Sequence, residues 1–266
     1  MVDDVAAAVA AVVDLLGWEV RAHGAITPEL ERRWGIAPGS AGDGWVLLAA
    51  LGTEAGMLRV VRGPPRRDGG RLPRRWAGVE IVVRDVDALL GHAAALPAFA
   101  VLRPAVTIDL SDVGSLVHRS GVVMGPGGLQ LMVTQPLSQP RGRAFHRAVG
   151  DAGPIFAVHL RADRGVQPLS LYRDALGLRS LVTLTFDRGW WHDFWRLPPG
   201  HVEVSVLSGG GHGTVEVQVY EPAVLDTVGA PPDRLEGGIG LVTLTVPGSE
   251  EARCIVGPAG ERLELV

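Results

Sequence analysis

The hydrophobic pattern of the chain changes character along its length. It opens with an apolar helical stretch from Val5 to Leu16, in which the longest unbroken apolar run, Val5 to Val13, ends at Asp14. A membrane span needs roughly 18 such residues, so this helix is predicted to be a buried one. Short β-rich runs bounded by Gly and Pro follow: Val46 to Ala50, Met57 to Val61, Val79 to Val83, Leu129 to Thr134, Val202 to Leu207, Val215 to Tyr220 and Arg262 to Val266. These predict strands. Asp85 is placed to cap a helix over Val86 to Leu96, because its side chain can accept from the free N–H groups of the first turn.

The pattern repeats. The helix ending in Leu15-Leu16-Gly17 has a counterpart in Ser170-Leu171-Tyr172-Arg173-Asp174-Ala175-Leu176-Gly177, each glycine suiting a helix C-cap. The halves close alike, on Gly125-Pro126-Gly127-Gly128 and on Gly257-Pro258-Ala259-Gly260, each before a final strand. Two diverged copies of one unit follow, residues 1–136 and 153–266, each containing two smaller βαβββ modules. The first module has no room for an opening strand before its helix. The fourth is shortened: from helix end to closing turn is 108 residues in the first half (17 to 125) and 80 in the second (177 to 257), which removes about one helix between Val246 and Arg253. Linkers are expected at Arg62 to Arg75 and Pro136 to Ala152.

Composition narrows the function classes. At 266 residues and 47% hydrophobic, the chain can bury a core large enough to offset its ordering entropy. A net charge of −4 argues against a nucleic-acid partner, whose binding rests on neutralising phosphates. All 25 basic residues are arginine, so lysine chemistry such as a Schiff base is excluded. The acidic start Met1-Val2-Asp3-Asp4 and the single Cys254 predict a cytoplasmic protein without disulfides, and no membrane partner is expected.

The Tyr172-Arg173-Asp174-x-Leu-Gly-Leu signature and the Gly257-Pro258-x-Gly-x-x-Leu-Glu264-Leu ending resemble the vicinal oxygen chelate superfamily of glyoxalases, extradiol dioxygenases and bleomycin-resistance proteins. The resemblance implies an α+β fold of tandem βαβββ modules forming cupped mixed sheets with flanking helices. It also implies a divalent metal held by His or Glu on the first and last strands of paired modules. By the family's spacing, those positions hold Gly78, Met132, Ala157 and Gly238, with His159 two residues beyond Ala157 and Glu264 at the family's closing Glu. The expectation is therefore a protein with no metal and no organic cofactor. A metal set of His159, Glu216 and Glu264 is the alternative.

Other candidate residues cluster by alternation and by composition. Glu216, Gln218 and Tyr220 share one face of a strand. Trp190, Trp191, Phe194 and Trp195 fall within seven residues, which suits either a ligand-stacking wall or a hydrophobic plug. His192-Asp193 makes a weak base-and-orienter pair, since chain neighbours seldom face each other. Ser208 to Gly213 reads as a hairpin turn, and the six arginines from Arg62 to Arg75 as a solvated linker.

The leading expectation is an enzyme of bacterial specialised metabolism acting by proton transfer on a hydrophobic small molecule: an isomerase, cyclase or lyase. Glu264 and His159 would be acid and base, and Trp190, Trp191, Trp195, Glu216, Gln218 and Tyr220 would bind substrate. A ligand-sequestering resistance protein and a metal-dependent lyase or dioxygenase are the alternatives. Monomer and homodimer are both compatible with the sequence.

Overall fold

The computed structural model describes residues 1–34, 39–63, 74–113, 117–138, 148–209, 213–225, 238–245 and 251–266. Helix α1 (Val5–Leu16) is capped by Asp4, whose carboxylate accepts from the Ala7 N–H. It ends where Gly17 turns left-handed (φ 65°), a conformation that costs glycine nothing. Strands β1 (Glu19–Ala25), β2 (Gly44–Ala49) and β3 (Leu58–Val61) follow, with α2 (Pro28–Trp34) inserted between the first two. The second module runs β4 (Arg75–Val83), α3 (Val86–Ala95), β5 (Ala100–Asp109), β6 (Val117–Met124) and β7 (Gln130–Pro136). Asp85 caps α3 as the sequence predicts, accepting from the Ala88 N–H at 3.0 Å.

The third module runs β8 (Ala152–Asp163), a π-helical turn (Ser170–Ala175), β9 (Arg179–Phe186), α4 (Trp190–Trp195), β10 (Val202–Ser208) and β11 (Thr214–Tyr220). The fourth contributes β12 (Val242–Leu244), β13 (Arg253–Val256) and β14 (Arg262–Leu265). Its opening strand thus begins four residues later than the Gly238 expected from sequence. The helix predicted to be missing before Arg253 falls on a stretch of which 246–250 lie outside the described residues, as do 64–73 and 139–147 of the two linkers. No described helix is long and apolar enough to cross a membrane.

Each module closes by the same device, its first strand lying parallel to its last: β4 with β7, β8 with β11, and β12 with β14. In the first module Val2 makes an isolated parallel bridge to Arg62.

The modules pair across the two halves of the sequence. β4 and β8 run antiparallel side by side, so the second and third modules form one eight-stranded sheet, β5-β6-β7-β4-β8-β11-β10-β9. The first and fourth modules supply two three-stranded sheets, β1-β2-β3 and β12-β14-β13. On the outer face of the large sheet, Val79, Ile81 and Val83 pack on Val12, Leu16 and Leu89 of the helices. Leu160, Val215 and Val217 on that face meet Tyr172 and the β14 residues Leu263 and Leu265. The inner face is covered by α4, whose Trp191, Phe194 and Trp195 pack on Val122, Val204 and Tyr220.

Candidate active site

Three polar side chains meet under the inner face, at the seam between modules. Glu80 on β4, His159 on β8 and Glu216 on β11 present one ligand-type atom each, all within 4.8 Å of one another. His159 is 1% exposed and Glu80 7%. The His159 Nε2 has no hydrogen-bond partner; it lies 3.6 Å from Glu80 Oε2 and 4.0 Å from Glu216 Oε1. Those distances exceed hydrogen-bond length, so the nitrogen faces a gap between two carboxylates.

Local backbone features put them there. The pairing of β4 with β8 shifts register between Trp76 and Gly78, a bulge at Ala77. Trp76 and Val79 consequently both face outward, and Glu80 turns inward, in the way a bulge re-aims side chains beside a site. Gly78 is the close-approach position: a Cβ there would stand 2.9 Å from the Gln130 carbonyl oxygen. Ala157 faces Glu80 across the seam and leaves it room.

Each carboxylate is held by a neighbouring side chain. Glu80 Oε1 accepts from Thr134 Oγ1 at 2.5 Å, and Thr134 meets Ser120 Oγ at 2.8 Å. Glu216 Oε1 accepts from Gln218 Nε2 at 2.7 Å. Gln218 Oε1 in turn accepts from Arg161 Nε and from the Tyr220 hydroxyl, both at 2.9 Å. Burial pushes the Tyr220 phenol up to about 12, so it remains a neutral donor. Burial opposes protonation of His159, but the neighbouring Glu216 and Glu80 charges outweigh it and hold the imidazole above its ordinary 6.5. Burial also raises Glu216, with His159 opposing, because a desolvated carboxylate favours its neutral form.

Position for position, Glu80 and Met132, His159 and Glu216, and Thr243 and Glu264 are neighbours on the opening and closing strands of three modules. Hence the equivalent opening positions are Glu80 and His159, each two residues beyond the Gly78 and Ala157 chosen by family spacing. That corrects the assignment of Gly78 and Ala157 as the opening ligand positions of the second and third modules. Glu80 was missed, though a lone charge inside Val79-Glu80-Ile81-Val82-Val83 was the available signal.

The other proposed site residues divide between two places. Glu216, Gln218 and Tyr220 do stand with His159, and Trp195 stacks on Arg161, with the guanidinium carbon 4.8 Å from the ring centroid. Trp191 packs flat against Phe186 (5.1 Å, 5°), and Trp190 meets Trp191 edge-on. Arg103 holds α4 in place, donating to the Phe194 carbonyl and, at 3.2 Å, to that of Trp195. His192 Nε2 bonds the Gly200 carbonyl oxygen at 2.7 Å instead of pairing with Asp193. β10 and β11, which flank the Ser208 to Gly213 segment read as a hairpin turn, pair antiparallel, and 210–212 lie outside the described residues.

Glu264 is not brought to His159. It is buried in the small sheet of the fourth module, accepting from Trp34 Nε1 at 3.1 Å and Thr243 Oγ1 at 2.8 Å. Arg33 Nε stands 2.9 Å from the same carboxylate, and the Arg59 guanidinium lies over the Trp34 and Trp45 rings. The pairing of Glu264 with His159 as acid and base is therefore corrected. A cavity of about 950 Å³ reaches Trp34, Arg59 and Thr243 from the outer face of the large sheet, and none of Glu80, His159 or Glu216 lines it.

Neither a family profile nor a curated protein matches the sequence. Solved structures match it over its whole length. Glyoxalase I from Zea mays superposes with a TM-score of 0.62 at 13% identity, covering 100% of this chain and 89% of that one. A protein assigned as a dioxygenase from Bacillus subtilis subsp. subtilis str. 168 gives a TM-score of 0.58 at 10% identity, over 96% of this chain and 78% of that one. The fold is that of the vicinal oxygen chelate superfamily. At such identities the likeness concerns the backbone alone, and the chemistry has to be read from the residues.

The resemblance drawn from the sequence implies a divalent ion on the opening and closing strands of paired modules. Here three of those four positions carry ligand-type side chains and the fourth is Met132. A buried imidazole nitrogen without a partner, facing two carboxylates, fits such an ion: one nitrogen and two oxygen donors suit a first-row divalent metal and leave coordination positions for a ligand.

Proposed function

We propose that this chain is an enzyme moving a proton on a small organic molecule at the Glu80–His159–Glu216 centre, with a divalent ion held by those three residues. The observation that carries the reading is the His159 Nε2, buried and unpartnered between two carboxylates on neighbouring strands. Buried polar groups are ordinarily paired, and a site that leaves one free sacrifices stability for chemistry. When bound, the ion supplies Lewis-acid polarisation of a substrate oxygen.

The protein's own residues supply the rest. Thr134 holds Glu80 by Oε1 and leaves Oε2 toward His159, while Gln218 fixes Glu216 through Oε1, the oxygen that itself faces His159, so both carboxylates are preorganised at the centre. Burial raises the Glu216 carboxyl above its ordinary range, which suits it to take a proton from carbon and return it elsewhere. The aromatic side chains of α4 over the inner face favour an apolar substrate body and keep water away. Isomerisation, epimerisation and lyase reactions fit this equipment.

A metal-free acid–base enzyme using the same triad is the second reading, favoured by Met132, a weak ligand at the fourth position. Elemental analysis and titration of chelator-treated protein with Mn²⁺, Ni²⁺ and Zn²⁺ separate the two. The first reading expects one ion per chain in wild type and in Glu264→Gln, and none in Glu80→Gln or His159→Ala. An ion bound equally by all four proteins, or by none, overturns it.

A further inference from the structure

Arg161 is the most deeply buried arginine described in the chain, at 0% exposure. It stands two residues beyond His159 on the same face of β8, about 6.6 Å along the strand. A guanidinium has five N–H donors. Nε is used, donating to Gln218 Oε1. Nη1 and Nη2 are buried with no hydrogen-bond partner among the described residues.

Among the described residues the Tyr220 oxygen lies close to the guanidinium, and it does not complete both nitrogens. The Tyr220 hydroxyl gives its proton to Gln218, Gln218 Oε1 already accepts twice, and Glu216 Oε1 is taken by Gln218. Trp195 covers a face of the guanidinium, and its own buried Nε1 also lacks an acceptor. Arg103 adds positive charge nearby. Arg119, by contrast, pairs its fork with both oxygens of Asp87 at 2.7 and 2.8 Å. Leaving the Nη atoms of the deepest arginine unmatched is costly unless a ligand completes them.

The geometry points to Arg161 as the anchor for a carboxylate on the substrate, its Nη1 and Nη2 edge gripping the two oxygens while Trp195 stacks on the guanidinium face. Edge and face are independent, so both contacts coexist. This rests on the inner face being the active site, and it narrows the substrate to a small organic acid with an apolar or aromatic body. The reacting carbon is then within a few bonds of the carboxylate, because the anchor and His159 are one pleat apart. Charge agrees: with a divalent ion on Glu80 and Glu216, Arg161 leaves the centre with one excess positive charge, which a carboxylate neutralises.

The test uses phenylacetate and its neutral isostere phenylacetamide, followed by calorimetry and by emission from the tryptophan beside the anchor. Wild type should bind phenylacetate saturably and phenylacetamide at least tenfold more weakly. Arg161→Gln should lose that preference, with phenylacetate at least tenfold weaker, and Arg161→Lys should recover part of it. Equal binding of acid and amide by wild type, which needs no variant, overturns the proposal. So does undiminished phenylacetate binding in Arg161→Gln, or binding of inorganic phosphate but not phenylacetate. His159→Ala should lose the metal and keep the acid-over-amide preference. Metal binding without that preference would sink the anchor and leave the catalytic centre standing; the preference without metal would do the opposite.

Discussion

Glu264 offers the sharpest division between a catalytic and a structural carboxylate. It is 2% exposed and accepts hydrogen bonds from Trp34 Nε1 and Thr243 Oγ1, with Arg33 Nε at 2.9 Å. Hydrogen bonds to a charged group contribute about 1.5–3 kcal/mol each, and removing one member of a buried ion pair costs about 3–5 kcal/mol. Arg33 is 30% exposed, so its share falls toward the surface value of at most about 1 kcal/mol. Glu264→Ala loses both hydrogen bonds and strands the indole N–H of Trp34, itself 1% exposed. A cost of about 3–5 kcal/mol is expected, and about 1.5–2 kcal/mol for Glu264→Gln, whose amide oxygen can still accept from one of the two donors. Urea unfolding followed by tryptophan emission reads this directly. With a slope near 3 kcal/mol per molar, the alanine variant should unfold at a midpoint lower by roughly 1 M or more. Metal and phenylacetate binding by the folded variants should match wild type. A midpoint within about 0.2 M of wild type together with lost turnover would refute the reasoning and return Glu264 to the catalytic centre.

Three further outcomes follow from the same geometry. His159 is held above its ordinary 6.5 and Glu216 above 4.5, so both keep protons longer in the folded chain, and the stability this gives is present below those values and lost as pH rises through the folded ones. The melting temperature of the metal-free protein should therefore fall more steeply above pH 6.5 in wild type than in His159→Gln, and saturating metal should abolish the difference; the reverse order of slopes would contradict the assignment. Gly78→Ala places a methyl 2.9 Å from the Gln130 carbonyl oxygen, and chemical denaturation should show a loss of about 1–3 kcal/mol, whereas a neutral result would mean the seam can open there. Trp191→Ala removes a buried ring stacked on Phe186 and should cost about 3–5 kcal/mol in the same assay, with an effect below 1 kcal/mol showing that α4 is not packed on the sheet.

The sequence by itself determined what depends on near neighbours along the chain. Gly17 and Asp85 announced their helix boundaries because capping is settled within four residues, and the strands declared themselves by alternation and turn chemistry. The doubled pattern and its closing turns were enough to bring out the modules and their resemblance to the vicinal oxygen chelate fold. Burial of Glu264 and the shared inner face of Glu216, Gln218 and Tyr220 with His159 were also within reach, since each follows from alternation or a short motif. Tertiary structure decided how modules pair. The seam between β4 and β8 joins residues about eighty positions apart, and nothing local prefers that partner over another strand of similar composition. It also decided the membership of the centre. Family spacing along the sequence lands on Gly78 and Ala157, whereas the strand register of the folded sheet sets Glu80 and His159 beside the closing strands, two residues further on the same face. Glu264, matched to the same motif, was carried into the other pairing of modules, where Trp34 and Thr243 occupy its oxygens. Whether a carboxylate reacts or merely holds the fold depends on which groups reach it through space, and alternation along a strand carries no record of them.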